Sequence, residues 1–221
     1  MIPDTFTSIP LGREPIILPM NLLPGECGVD YIFTGGAVIC ELLEQTGISF
    51  AVSPLKLVKD IDIFILNHES EYNIELAYFF GKCEKVDDIG SDGAANTDIS
   101  AIRPPYLNGN VKHPDCDYKL DIITDRRYLE PSDVIQTFDL INSRLWFSGN
   151  IFDGQSIRMS YLAFDCWSAG VGGVKQIKAT TLDRVKKYME KYTDPMRLAM
   201  TKVHTLGSVK SILLEDFGNG R

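Results

Sequence analysis

Two adjacent glycines, Gly35 and Gly36, separate a short apolar run, Tyr31–Thr34, from a segment that carries Val38, Ile39, Leu42 and Leu43 on one side of a helical wheel. The run reads as a strand and the segment as a helix, with Gly47 as its expected stop. Glycine lacks a Cβ, so the backbone can turn sharply there and approach a ligand closely. The free N–H groups at the start of the following helix favour an anion. Beyond this turn comes KDIDIFIL, in which Ile61–Leu66 is apolar and β-branched and reads as a second strand, entered through Asp60.

Asp60 and Asp62 alternate in that strand, so both side chains share a face about 7 Å apart. Two carboxylates forced together raise each other's pKa unless a cation neutralises them. Mg²⁺, a hard ion that takes oxygen ligands, suits such a pair. Asp121 lies in YKLDIIT, the next strand-like segment (118–124), and joins the pair if the two strands are neighbours. Three carboxylates can hold two metals, one activating a hydroxyl and the other neutralising a phosphate leaving group. Arg184, Lys187 and Lys191 fall at i, i+3 and i+7 of a late helical segment, opposite Leu182, Val185, Met189 and Tyr192. That basic stripe is a candidate for holding phosphate groups against the acidic cluster. Asp139 reads as a cap or turn residue, and Trp146 and Trp167 as core.

The rest of the chain suggests an α+β fold, a small mixed sheet with flanking helices and a C-terminal helical segment. Residues 1–30, rich in Pro and Gly, read as an irregular or short-stranded lead-in. Residues 75–80 fit helix or strand equally. The stretch 87–117, rich in Gly, Asp, Asn and Pro, reads as a long loop. Pro131–Asp139 reads as helix and Asn142–Phe147 as strand. Thr181 is expected to cap one final helix, and Asp194, with Pro195 at the first position, a second. The expected division is an α/β unit over 1–160 and a helical segment over 161–221.

Charge is unevenly spread over the 221 residues, whose formal net charge is −8. The segment 171–210 holds 9 basic and 3 acidic residues, whereas the first half of the chain is acidic. The acidic balance argues against a general nucleic-acid coat, so no DNA partner is expected. No apolar run is long enough to span a membrane, and the N-terminus lacks the pattern of a signal peptide. Five cysteines without a CxxC pair point to a reducing, cytoplasmic setting. Oligomeric state leaves no mark on the sequence.

FTGGAVICELL followed by KDIDIFIL resembles the nucleotidyltransferase superfamily that includes DNA polymerase β, poly(A) polymerases and the tRNA CCA-adding enzymes. The wording is most similar to the CCA-adding branch and to minimal viral and phage members. YLEPSDVIQTFDLINSRLWF and TLDRVKKYMEKY resemble viral members too, which for a viral chain implies the host cytoplasm. The resemblance implies a Mg²⁺-dependent enzyme, with two ions and Mn²⁺ as a substitute, that moves an NMP from an NTP such as ATP to a hydroxyl. Asp60, Asp62 and Asp121 are then catalytic and metal-binding, and Gly35, Gly36, Arg184, Lys187 and Lys191 bind the nucleotide. The implied acceptor is a tRNA-like RNA 3′ end, with a protein or small-molecule hydroxyl, or an inactive nucleotide- or partner-binding regulator, as alternatives. Two departures stand out. Ile39 occupies the place where CCA-adding enzymes carry arginine, and Ser49–Lys59 reads as an insertion.

Overall fold

The computed structural model describes residues 5–20, 30–48, 50–66, 84–87, 109–124, 128–149, 156–205 and 210–213. Strand β1 (Thr5–Pro10) lies in the lead-in. Strand β2 (Tyr31–Thr34) runs directly into helix α1 (Gly35–Thr46), which Gly47 ends in a left-handed conformation at φ 60°. A single-turn helix α2 (Pro54–Leu57) precedes β3 (Asp60–Ile65). Strands β4 (Glu84–Asp87), β5 (Gly109–Lys112) and β6 (Lys119–Thr124) follow, then helix α3 (Pro131–Gln136). The chain closes with β7 (Leu145–Ser148), β8 (Ser156–Ser160), α4 (Tyr161–Ala169), α5 (Thr181–Thr205) and β9 (Lys210–Leu213).

The nine strands among the described residues join one sheet in the order β4-β5-β6-β3-β2-β7-β8-β1-β9. Only β3 and β6 are parallel; the other neighbours are antiparallel, so the sheet is mixed and the fold α+β as expected. Alternation along β3 sends Ile61, Ile63 and Ile65 to the face covered by α1, where they join Val38, Ile39, Leu42 and Leu43 and the α4–α5 residues Trp167, Met196 and Met200 in the larger core. Phe64 points the other way into a smaller cluster with Ile32, Phe6, Trp146 and the α3 residues Val134 and Ile135. Both tryptophans are fully buried. The nucleotidyltransferase resemblance implies a strand–Gly-Gly turn–helix–Asp-x-Asp strand unit with a third acid on a later strand; that later strand, β6, lies parallel beside β3.

Three expectations need correction. Residues 109–112, read as part of a long loop, form β5, because β6 offers a free edge whose backbone groups recruit even a Gly- and Asn-containing partner. Residues 88–108 and 75–80 lie outside the described residues. The C-terminal segment is not helical throughout, since β9 returns to pair with β1. The break expected at Asp194 is missing too, for α5 runs unbroken with Pro195 inside it. An internal proline costs a helix about 3 kcal/mol. Tyr192, Met196, Ala199, Met200 and Val203, all buried along one stripe, each return roughly 1.5–3 kcal/mol for the larger side chains, so packing outweighs the lost hydrogen bond.

Candidate active site

The register of the parallel pair sets Asp62 directly opposite Asp121, with Asp60 opposite Lys119. Side chains in register on adjacent strands share a face, and strands lie about 4.8 Å apart, so Asp121 stands beside Asp62 while Asp60 stands two residues along. The three acids are thus brought to the end of β3 and β6 at which β2 leaves the sheet. On the other flank of Asp62 the register partner is Thr34, whose buried Oγ1 has no hydrogen-bond partner among the described residues.

Gly35 opens α1 at φ +70°, in the left-handed region. A Cβ at this position would overlap the Asp62 carboxylate. The glycine therefore serves two needs, the turn out of β2 and the space for Asp62. Gly36 faces Tyr192, whose hydroxyl would lie 3.2 Å from a Cβ there. Thr34, the N-cap of α1, makes no side-chain cap bond, and no acidic residue occupies the first helical turn. The N–H groups of that turn are left without either kind of intrahelical neutraliser.

A cleft of about 180 Å³ opens beside Asp60 and Asp62, lined by Gly36, Leu57–Asp60, Asp62 and the α5 residues Lys187, Tyr188, Lys191 and Tyr192, with Gly35 and Asp121 outside its lining. Lysines and carboxylates face each other across it. Burial, followed by the charges of Asp121 and Asp60, pushes the Asp62 carboxyl up to about 7, against a pull from Lys187. Burial and Asp60 likewise raise Asp121. Tyr188 is raised by burial and by Asp62. Burial pulls Lys191 below the ordinary lysine range, with Cys40 and Asp60 opposing the fall and Lys187 and Lys59 adding to it. The Lys191 ammonium donates to the Leu57 carbonyl and sits 4.9 Å from the centre of the Tyr192 ring.

The cation question turns on Asp121. Its Oδ1 is buried and has no hydrogen-bond partner among the described residues. An unmatched buried acceptor beside a carboxyl that sheds its proton with difficulty is a place that a hard cation satisfies. Among the described residues no three His, Cys, Asp or Glu side chains already converge as a metal cage. The donor set nevertheless fits Mg²⁺, being all carboxylate oxygen.

Of the basic stripe read from sequence, Lys187 and Lys191 reach the cleft. Arg184 does not line it, because its guanidinium donates to Asp139 Oδ1 at 2.8 Å and to Thr180 Oγ1 at 2.9 Å. Leu182, placed on the apolar side by spacing, is 69% exposed, while Tyr192 is buried next to Lys191. The sequence reading missed Lys59, Tyr188 and the Leu57 carbonyl as cleft-lining groups. Lys59 precedes Asp60 and Tyr188 follows Lys187, so adjacency to residues already singled out was the available signal.

No family model matches the sequence, and no curated protein matches it at a significant level. Solved structures offer similarities of fold. A tRNA nucleotidyltransferase solved with a primer tRNA and an incoming ATP analogue matches 85% of this chain and 50% of its own, at 15% identity and a TM-score of 0.48. A CCA-adding enzyme solved with CTP matches 84% of this chain and 47% of its own, at 17% identity and a TM-score of 0.44. For the Thermotoga maritima CCA-adding enzyme solved with tRNA, the shares are 86% and 42%, the identity 16% and the TM-score 0.46. The chain spans about half the length of these proteins. Among the described residues no helix is long and apolar enough to cross a membrane.

Proposed function

We propose that this chain is a divalent-metal-dependent nucleotidyltransferase, moving an NMP from an NTP to a hydroxyl with release of pyrophosphate. The observation that carries the reading is the register that sets Asp121 beside Asp62. Spacing alone left open whether the third acid joins the pair. Asp60, Asp62 and Asp121 would hold Mg²⁺, two ions or Mn²⁺ in their place. Bound there, the metal supplies charge neutralisation and lowers the pKa of the attacking hydroxyl.

The remaining work falls to the chain. The N–H groups of Gly35 and Gly36 hold the triphosphate, aided by the uncapped first turn of α1. Lys187 and Lys191, with Lys59 added, neutralise the pyrophosphate as the bond between the α-phosphorus and the bridging oxygen breaks. Lys191 first gives up the Leu57 carbonyl. Asp121 takes the proton of the acceptor hydroxyl as its oxygen bonds to the α-phosphorus. A tRNA-like RNA 3′ end is the proposed acceptor, supported by the sequence wording and by the exposed Lys175, Lys178 and Lys186 around the start of α5.

The test is pyrophosphate release from each NTP with total tRNA, with and without Mg²⁺, using α-labelled nucleotide. Mg²⁺-dependent release with label on RNA supports the full reading. Label on protein or a small molecule moves the acceptor, and binding without release makes the chain a regulator. Neither binding nor release overturns the function.

A further inference from the structure

The segment 139–142 touches no part of the cleft, yet it braces the wall of the cleft from two directions. Asp139 is 2% exposed, and each of its carboxylate oxygens is engaged by the beginning of α5. Oδ1 accepts from Arg184 Nη1 at 2.8 Å and from the Leu140 amide at 3.0 Å, and Oδ2 accepts from Thr181 Oγ1. Thr181, itself fully buried, also accepts from the Lys178 amide at 2.8 Å. Burial alone would raise the Asp139 carboxyl, but Thr181 and Arg184 hold it below the usual carboxylate range.

The second brace runs through Asn142. Its Nδ2 donates to the Val171 carbonyl at 3.0 Å and its Oδ1 accepts from the Gly173 amide at 2.7 Å. Its carbonyl accepts from Trp167 Nε1 at 2.9 Å. The Trp167 ring in turn stacks on Tyr188, with centroids 6.5 Å apart and planes 24° from parallel. Lys187 and Tyr188 lie three and four residues beyond Arg184, one turn further along the same side of the helix. One brace therefore holds the first turn of α5 and the other holds Tyr188.

We propose that Asp139 and Arg184 are positioning residues for the nucleotide: their ion pair sets the first turns of α5 so that Lys187 and Tyr188 face the acidic strand ends. This rests on the cleft being the NTP site, and it takes Arg184 out of the phosphate-binding set in which the basic stripe had placed it. The two roles of Arg184 predict opposite signs. If Arg184 contacts phosphate and Asp139 merely competes for it, then Asp139→Asn frees the guanidinium and NTP binds as tightly or more tightly. If the pair positions the wall, Asp139→Asn loosens NTP binding.

The experiment measures the dissociation constant and KM for ATP and CTP with Mg²⁺ in the full chain, Asp139→Asn, Arg184→Gln and the double variant, with Lys187→Ala as reference. Thr181→Val is the milder break in case Asp139→Asn does not fold. The expected result is a loss of affinity of about tenfold in each single variant, and a double variant no weaker than the weaker single one, as a shared interaction requires. KM rises more than kcat falls, and the steepness of the salt dependence is unchanged in Arg184→Gln, because no phosphate contact has been removed. Unchanged or tighter binding in Asp139→Asn overturns the proposal, as does a flattened salt dependence in Arg184→Gln. Weak binding in Lys187→Ala beside normal binding in Asp139→Asn and Arg184→Gln sinks the positioning role alone. No NTP binding by the unmodified chain removes the cleft reading and the proposal with it.

Discussion

Asp62 and Asp121 stand opposite each other in the β3–β6 pair, the one place among the described strands where neighbours run the same way. Both carboxyls are raised, first by burial; the charges of Asp121 and Asp60 add to the rise at Asp62, and that of Asp60 to the rise at Asp121. Such a pair is unfavourable in isolation and favourable around a cation.

Removing one of the two acids should therefore separate stability from activity. Asp121→Asn is expected to lower Mg²⁺-dependent turnover roughly 100-fold or more. In metal-free buffer at pH 8 the same variant should melt higher than the unmodified chain, by about 2–4 °C for each kcal/mol of repulsion relieved. A melting scan with EDTA and a turnover assay with Mg²⁺ check the two halves.

The position of Asp62 gives a direction with pH. Its carboxyl titrates at about 7 in the folded chain, against an ordinary value of 3.8. Between about pH 4 and 7 the folded chain holds a proton that the unfolded chain has lost. Stability contributed by this group accordingly falls as pH rises through that window and levels off above 7. A cation competes with that proton, so Mg²⁺ affinity should climb from pH 6 to pH 8. Calorimetric titration at three pH values across this range measures it, and an affinity flat with pH would separate Asp62 from the metal.

Lys187 and Lys191 share the cleft but differ in their partners. Lys191 donates to the Leu57 carbonyl and must release it to meet a phosphate, whereas no hydrogen bond of this kind ties Lys187 among those described. Lys187→Ala is expected to raise KM for NTP about tenfold, and Lys191→Ala less, since losing the bond to Leu57 offsets part of the gain. Steady-state kinetics on the two variants decide the order.

Gly35 carries both a left-handed φ of 70° and a Cβ direction that runs into Asp62. Gly35→Ala should cost about 1–3 kcal/mol in strain alone and displace the Asp62 carboxylate as well. Chemical denaturation gives the first figure, and residual turnover reports the second. Gly12, where a Cβ meets nothing within 4 Å, is the control position.

How far the sequence reached differs from element to element. Local chemistry was enough for the strand–Gly-Gly–helix unit, because Tyr31–Thr34, the two glycines and Gly47 each restrict the backbone within a few residues of themselves. It was enough for the Asp60/Asp62 face as well, since alternation in a strand needs no partner. The α5 helix was legible as helix but not as a single one, because spacing cannot weigh an internal Pro195 against a stripe of buried side chains from Tyr192 to Val203.

What stands across the sheet or the core had to wait for the tertiary structure. Strand order and register decided that Asp121 meets Asp62, and neither leaves a trace in the residues around Asp121. The same holds for Arg184, which spacing grouped with Lys187 and Lys191 and which Asp139, 45 residues away, draws aside. Periodicity determines which residues of one element share a face. The free energy that chooses among partners for that face comes from burial and pairing across the fold, and these exist only once the chain has closed on itself.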